Sequence, residues 1–245
     1  WNDIEAISAA IKAAGHDALF MVDCMASLGC VEYEMDKWNV DLTTCGSQKG
    51  LMTPPGLGFV WANDRTLNKG ATLSRGRSYW NWDPRANPDI FYKRFCGTAP
   101  VQHLYALRAA LDMIAEEGME TIWARHTHVA NGVRAAVEHW GQSGALSLNI
   151  TDPDARSNSV TTILTHGFDA QELRAIAEAN LGVTLGVGLG LDPETAFRIG
   201  HMGHVNAPMI LGALGATEMA LAHMGAPFVP GGVEAAIKAM APGVA

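Results

Sequence analysis

The chain has 245 residues, 48% of them hydrophobic and 17% charged, which is enough apolar content for one large domain or two smaller ones. Its formal net charge of -8 and the lack of any basic run argue against a general affinity for nucleic acid or anionic membrane. The four cysteines have neither CxxC nor metal-finger spacing, and no apolar run approaches the roughly 20 residues of a membrane span. We therefore expect free thiols and a cytoplasmic protein.

Helices and strands are predicted to alternate in the first part of the chain. Asn2 and Glu5 resemble a capping box, and the apolar face that follows them ends at Gly15, which predicts a helix. Apolar runs then predict strands at residues 18–22, 38–44 and 57–61. A helix followed by apolar strands indicates parallel strands joined by crossovers, the α/β class.

The middle of the chain is different in character. Residues 74–94 are rich in aromatic residues and arginines without periodicity, which predicts a long functional loop. Helical spacing predicts long helices at residues 101–114 and 119–140, and we place the boundary between a first domain (1–120) and a second (121–245) near them. The second domain is predicted to contain short strands at residues 146–150, 160–164, 183–185 and 197–199, and helices at residues 170–180 and 207–224.

Asp23 and Lys49 each follow a predicted strand, and Lys49 lies in a polar turn before a proline-glycine run. Ligands of open parallel sheets bind beyond the carboxyl ends of the strands, so both side chains are expected at one binding edge. Pyridoxal phosphate chemistry requires a lysine that forms an imine and an acid that keeps the pyridine nitrogen charged. A solvated surface lysine and a helix-capping aspartate are the alternatives.

Three segments, two of which contain Asp23 and Lys49, carry a family resemblance. The segments VDCMASLG (22–29), GSQKGL (46–51) with the PPG that follows, and FRIGHMG (197–203) occur in this order. The chain resembles class V pyridoxal-phosphate aminotransferases, in the branch of the alanine-glyoxylate and serine-glyoxylate aminotransferases, with pyridoxamine-pyruvate aminotransferase as a near relation.

The resemblance implies the fold and the reaction. It implies a fold-type I transferase in which residues 1–120 form part of a large domain with a mainly parallel sheet and a linking helix. Residues 121–245 would form a smaller carboxyl-terminal α+β domain. The implied enzyme activity moves an amino group from serine or alanine to glyoxylate or a related 2-oxo acid, with pyridoxal 5'-phosphate as cofactor.

The resemblance also assigns the cofactor contacts. Lys49 would hold the cofactor as an imine and then act as the acid-base of the reaction. Asp23 would pair with the pyridinium nitrogen, Met25 would lie against the ring, and Gln48 would hydrogen-bond the phosphate. Thr98 would reach the phosphate of a neighbouring subunit, which implies a homodimer with shared active sites.

Two further residues are expected to contact the substrate. Arg198 matches the arginine that binds the substrate carboxylate, a role that suits a planar bidentate fork, although an interdomain ion pair is an alternative. Trp80 is expected to line the substrate pocket, and packing at a subunit interface is equally compatible with its chemistry. His201 and His204 have no clustered acidic or cysteine partner in the sequence, so we interpret them as structural.

Departures from the family pattern leave other functions open. Phe95 stands where many relatives have a tyrosine, and the phosphate loop and stacking aromatic of the family are expected upstream of Trp1, which predicts a carboxyl-terminal part of such an enzyme that binds cofactor poorly alone. A cysteine desulfurase is excluded because Gln48 precedes Lys49 and no cysteine follows Cys96. A pyridoxal-phosphate-dependent lyase and a non-catalytic subunit remain as alternatives.

Overall fold

The computed structural model of the chain describes residues 1–73 and 79–243. The chain divides into two compact units. We call Asp3–Leu28 with Tyr33–Glu116 the first unit, and Trp1–Asn2 with Gly29–Glu32 and the chain from Glu117 onward the second unit. Each unit has its own sheet, of three strands in the first and four in the second.

A mixed sheet forms the centre of the first unit. Its strands are Met21–Asp23 (β1), Leu42–Gly46 (β2) and Gly58–Ala62 (β3), in the order β1-β2-β3. Its helices are Ile4–Ala13 (α1), Asp64–Ala71 (α2), Asp83–Ala86 (α3) and Val101–Glu117 (α4). The β1–β2 pair is parallel, as expected, whereas β3 is antiparallel to β2. A turn and a loop join β2 to β3 without the helical crossover that a parallel pair needs.

Two helices of the first unit differ from the sequence expectation. Asp3, and not Asn2, caps α1, because its carboxylate accepts a hydrogen bond from the Ala6 N–H at 2.8 Å. Aspartate and asparagine are equally good caps, so the sequence does not decide between them. Helix α2 is absent from the prediction because Thr66 is its only buried residue and no apolar stripe marks it. Its cap, Asn63, accepts a hydrogen bond from the Thr66 N–H at 2.9 Å.

The predicted long loop contains short helical segments. Helix α3 and a 3-10 helix, Phe91–Phe95, lie within it, and both are too short to show an apolar period. Residues 74–78 of the predicted loop lie outside the described residues.

An antiparallel sheet with helices forms the second unit. Its strands are Leu146–Leu148 (β4), Val160–Thr165 (β5), Gly186–Val187 (β6) and Ala196–Gly200 (β7), in the order β4-β5-β7-β6. Its helices are Met119–Trp140 (α5), Ala170–Leu181 (α6), Ala207–His223 (α7) and Gly232–Met240 (α8). All three strand pairs are antiparallel.

Buried and less buried side chains alternate along β5 and β7, which identifies the face of this sheet that the helices cover. Ile163, Phe197 and Ile199 are buried in a core with residues of the helices, such as Trp140 and Leu214. Each of these side chains stabilises the fold by about 1.5–3 kcal/mol through removal of apolar surface from water. Side chains at alternate positions of β7, including that of Arg198, therefore project from the opposite face.

One predicted strand of the second unit is displaced, and one helix was not predicted. The strand expected at residues 183–185 is instead formed by β6, although Leu185 is buried as an apolar strand residue would be. Helix α8 is absent from the sequence prediction, because it begins within a glycine pair and the side chain that caps it is remote in sequence. Glu218 of α7 accepts hydrogen bonds from the N–H groups of Gly231 and Val233, at 2.6 and 3.1 Å.

The cysteines are in part buried, and the helices are those of a protein without a helical membrane span in its described residues. Cys24, Cys30 and Cys45 are buried, Cys96 is exposed, and none of the four forms a disulfide. None of the helices in residues 1–73 and 79–243 combines the length and apolar character needed to cross a bilayer.

Candidate functional site

The parallel pairing of β1 and β2 brings two predicted residues to one edge of the sheet. Asp23, the last residue of β1, is in register with Thr44, and the Cys24 N–H donates to the Thr44 carbonyl at 2.8 Å. Strand β2 continues to Gly46 and is followed at once by the turn that carries Lys49. Because the strands run in the same direction, the carboxylate and the lysine turn lie at the same carboxyl edge.

Ser47 holds the turn of Lys49 in place. Its buried hydroxyl donates to the Pro54 carbonyl at 2.7 Å and accepts from the Leu57 N–H at 3.3 Å. Its carbonyl accepts from both the N–H and the hydroxyl of Thr53, at 3.0 and 2.9 Å. The far end of the loop after Lys49, residues 53–57, is thus tied back to Ser47.

The proline-glycine run after Lys49 packs against the first turns of α4. His103 lies 3.1 Å from the Pro55 carbonyl through Nε2. A Cβ placed on Gly56 would lie only 2.5 Å from the same nitrogen, and Gly56 has a φ of +149°. Only glycine fits there, so the loop and the amino end of α4 keep a fixed contact.

Three side chains meet around the end of β2. Asp23 is exposed, and its Oδ1 accepts a hydrogen bond from the Met25 N–H at 2.8 Å, which closes a tight turn rather than capping a helix. A Cβ on Gly46 would lie 2.7 Å from both Met25 Sδ and Gln48 Oε1. The thioether and the amide therefore occupy the space that the missing side chain of Gly46 leaves.

The amine of Lys49 has no partner within the described ranges. The residue is half-buried, and neither a hydrogen bond nor an ion pair to its side chain occurs among residues 1–73 and 79–243. Its carbonyl accepts from the Met52 N–H at 2.9 Å, so the backbone is fixed while the side chain is available. A surface lysine has the same freedom, and what distinguishes Lys49 is its place at the edge shared with Asp23.

The groups beneath this edge stay uncharged. Burial raises the pKa of Tyr33 to about 12, and the Tyr33 hydroxyl shares a hydrogen bond with Thr43. Burial likewise raises the pKa of the Cys24 thiol. Neither group therefore ionises at neutral pH.

Thr98 and Trp80 lie elsewhere in the first unit. Thr98 is exposed in the loop before α4, and its hydroxyl makes no hydrogen bond to any described residue, so it is not seen as a helix cap. Trp80 is 70% exposed and packs edge-on against Tyr79, with ring centroids 5.1 Å apart. The described first unit does not bury the Trp80 ring in a pocket.

Arg198 belongs to the second unit. It lies in β7, between Thr162 of β5 and Gly186 of β6, and it is half-buried. Its Nε donates to the Val187 carbonyl at 2.6 Å. No carboxylate of the described second unit forms an ion pair with Arg198.

His201, directly after β7, makes buried structural contacts. Burial lowers the pKa of His201 to about 4, and its Nδ1 and Nε2 lie 2.9 Å from the Asn158 carbonyl and from Thr161 Oγ1. His126, which the sequence did not single out, accepts from the Gly203 N–H at 3.1 Å. His204 is exposed. Residues 1–73 and 79–243 contain no cluster of three or more His, Cys, Asp or Glu side chains that could bind a metal.

Several residues that shape the site carry no sequence signal of chemistry. The side chains of Ser47, Thr53 and His103 support the lysine turn through hydrogen bonds to backbone carbonyls. Gly46 and Gly56 act through the side chains they lack. A serine directly before Gln48 and a glycine after a proline pair are the only signs in the sequence, and such residues are common in ordinary turns.

Solved structures superimpose on this fold. The chain matches pyridoxamine-pyruvate aminotransferase from Mesorhizobium loti with a TM-score of 0.88 at 29% identity, covering 99% of this chain and 62% of that chain. It matches ureidoglycine-glyoxylate aminotransferase from Bacillus subtilis with a TM-score of 0.85 at 26% identity, covering 97% and 61%. The predicted fold class is confirmed: this is part of a fold-type I aminotransferase fold, with mixed sheets.

Sequence comparisons give the family. The family model for Aminotransferase class-V matches residues 1–191. A serine–glyoxylate aminotransferase of Methylorubrum extorquens is 38% identical over 245 residues, and an L-aspartate–glyoxylate aminotransferase of Paracoccus denitrificans is 37% identical over 239 residues. The chain belongs to the class V aminotransferase family. Each alignment covers 96% of this chain but only 59% of the relative, so the chain spans about three fifths of their length.

This family implies pyridoxal 5'-phosphate, and the side chains at the strand edge fit it. The cofactor needs a primary amine, a carboxylate for its ring nitrogen and hydrogen-bond donors for its phosphate. Lys49 supplies an amine without a partner in the described chain, and Asp23 supplies an exposed carboxylate at the same edge. Gln48 supplies an amide beside the Met25 thioether.

Proposed function

We propose that this chain catalyses, as part of a pyridoxal-phosphate enzyme, the transfer of an amino group between a small amino acid and glyoxylate or a related 2-oxo acid. The observation that carries the proposal is the shared edge of Asp23 and Lys49, set by the parallel β1–β2 pair. Relatives named as serine–glyoxylate and L-aspartate–glyoxylate aminotransferases support glyoxylate as the amino acceptor. Serine or alanine is the proposed donor.

Four residues of the first unit would hold the cofactor. Lys49 would attach it through Nζ, and Asp23 would keep its ring nitrogen protonated. Met25 would lie against the ring, and Gln48 would donate its amide N–H to the phosphate. The space at Gly46 supports this arrangement, because it lets the Met25 and Gln48 side chains lie side by side at the strand edge.

The residues of this chain would then move one proton. Pyridoxal phosphate, when bound, supplies a ring that withdraws electrons from the substrate Cα. Lys49 Nζ would accept the proton from the substrate Cα and return it, which requires a neutral amine that can reach the reacting atom. The hydrogen bonds of Ser47 to Pro54 and Leu57 support this role, because they fix the backbone next to the lysine.

Arg198 would bind the carboxylate of the substrate. Its guanidinium is free of ion pairs in the described chain, and a planar fork matches a carboxylate with two parallel hydrogen bonds. Trp80 would form a wall of the substrate pocket. We further propose that residues 1–120 belong to the cofactor-binding large domain and residues 121–245 to the small domain.

A homodimer with shared sites is part of the proposal. Thr98 is exposed in the loop before α4, where its hydroxyl would reach the cofactor phosphate of a neighbouring subunit. Sedimentation equilibrium of the chain with and without the cofactor is expected to give a dimer. A monomer at every protein concentration would remove the intersubunit role of Thr98.

Borohydride trapping tests the central assignment. The full-length or reconstituted protein incubated with pyridoxal phosphate should give a yellow absorbance band, and reduction should place a stable adduct on Lys49, mapped by peptide mass spectrometry. Lys49→Ala should lose both. Lys69→Ala is the matched control, because Lys69 is an exposed lysine of α2 in the same unit and should leave the adduct on Lys49. An adduct that persists at full yield in Lys49→Ala refutes the assignment.

Product analysis separates the proposed reaction from a lyase. Serine or alanine with glyoxylate should give glycine and the corresponding keto acid, in amounts that depend on Lys49. Decarboxylation or loss of the side chain without glycine would favour the lyase, and an adduct without any turnover would favour a non-catalytic subunit.

A further inference from the structure

The short strand β6 lies directly beside Arg198. Gly186 of β6 is in register with Arg198 of β7, and the two residues share one face of the sheet, opposite the face that carries Phe197 and Ile199. Any side chain at position 186 would therefore stand next to the arginine stem. With glycine there, the stem has room to lie across β6.

The geometry at Gly186 measures how little room there is. A Cβ at this position would lie 3.3 Å from Arg198 Cβ and 3.5 Å from Arg198 Nε. Gly188, which directly follows this strand, approaches β7 even more closely, because its Cβ would lie 2.7 Å from the Cβ of Ala196. Gly186 thus lets β6 and the arginine pack against each other, and Gly188 lets the chain after β6 stay close to β7.

The backbone of β6 also orients the guanidinium. Arg198 Nε donates to the Val187 carbonyl at 2.6 Å, which uses the one N–H that points along the side of the fork. The two Nη groups make no hydrogen bond or ion pair to any residue of the described chain. They form the edge that a carboxylate binds with two parallel hydrogen bonds.

We propose that β6 is a positioning element for carboxylate binding: Gly186 and the Val187 carbonyl hold Arg198 so that its two Nη groups face the ligand. The inference rests on the proposed role of Arg198 and adds the residues that set its orientation. The ligand class is an α-carboxylate, as in amino acids and 2-oxo acids.

Substitution of Gly186 can separate an effect on carboxylate binding from an effect on the stability of the fold. Glycine within a strand destabilises the fold relative to alanine, and the φ of Gly186 is not in the left-handed region. Gly186→Ala should therefore fold at least as stably as the natural chain. A loss of carboxylate binding without a loss of stability would be specific to the orientation of Arg198.

The experiment has one arm that needs no ligand. In the chain labelled with ¹⁵N-arginine, the Arg198 Nε–H resonance is expected to be protected from exchange with water by its bond to the Val187 carbonyl. Gly186→Val, whose branched side chain would fill the space under the guanidinium, should remove that protection. Gly186→Ala should reduce it. An Nε–H that stays equally protected in both variants would overturn the proposal.

The second arm titrates glyoxylate and measures its dissociation constant and KM. Gly186→Ala should weaken binding about threefold and Gly186→Val about tenfold, because a displaced arginine leaves its preferred rotamer, while kcat stays nearly unchanged. Gly200→Ala is the matched control: Gly200 ends the neighbouring strand β7, a Cβ there meets nothing within 4 Å, and affinity should not change. Thermal unfolding of each variant gives the stability.

The outcomes distinguish the inference from the proposed function. If Arg198→Ala leaves glyoxylate affinity unchanged, Arg198 is not the carboxylate ligand and the proposed role itself fails. If Arg198→Ala weakens binding but both Gly186 variants bind like the natural chain, only the positioning role of β6 is wrong. Equal losses in Gly186→Ala and Gly200→Ala would also contradict it.

Discussion

Removing the hydroxyl of Ser47 is expected to loosen the loop that follows Lys49. In Ser47→Ala, the Pro54 carbonyl loses a hydrogen bond of 2.7 Å and the Leu57 N–H loses one of 3.3 Å. Pro54 is exposed and Leu57 half-buried, so water replaces part of what is lost, and each broken bond costs about 1 kcal/mol. The total of about 2 kcal/mol corresponds to roughly thirtyfold easier local opening.

Amide hydrogen exchange measures this opening residue by residue. The Leu57 N–H should exchange roughly thirtyfold faster in Ser47→Ala, while amides of the second unit keep their rates. Ser8→Ala, which removes a hydroxyl of α1 that has no partner in the described chain, is the control and should leave Leu57 unchanged. If Leu57 exchanges at the same rate in the natural chain and in Ser47→Ala, the hydroxyl does not tie the loop.

Further predictions concern the second unit. Burial lowers the pKa of His201 from 6.5 to about 4. Between these two pH values, His201 binds a proton in the unfolded chain but not in the folded chain. In urea titrations, the free energy of unfolding should be highest above pH 6.5 and fall by up to about 3 kcal/mol towards pH 4. In His201→Gln, the free energy of unfolding should depend less on pH. Glu218→Ala should lower stability by about 2–3 kcal/mol in urea, because it uncaps α8, whereas exposed Glu234→Ala should have no measurable effect. Gly232→Ala should lower the melting temperature, because its Cβ would lie 2.1 Å from Trp140 Nε1; an unchanged melting temperature would contradict that packing.

The long periodic elements could be predicted from the sequence. Helix α5 occupies residues 119–140 as its apolar spacing predicts, and the strands after the first helix appear where apolar runs end. The direction of β3 could not be read from its own residues, because pairing depends on the connection and not on the strand. Helix α8 could not be read either, because Glu218, which caps it, is remote in sequence.

The candidate site follows the same division. Asp23 and Lys49 could be placed together from the sequence because each follows a strand, and strand ends of one direction share an edge. The surroundings could not be placed in this way. Ser47 and Gly186 act through a buried hydroxyl and a missing side chain, and neither property is visible until the backbone of another segment lies next to it.

Cys96 is the one exposed cysteine, so the first unit can be labelled with a thiol reagent at a natural residue. Three cysteines are buried, and the exposed one, Cys96, lies beside Gly97 and Thr98, with its sulfur 2.9 Å from Arg85 Nη2. A maleimide dye should therefore attach to the folded chain at Cys96 without any engineered cysteine. Its emission would report on the loop before α4, so that fluorescence would test in real time whether a second subunit binds at Thr98.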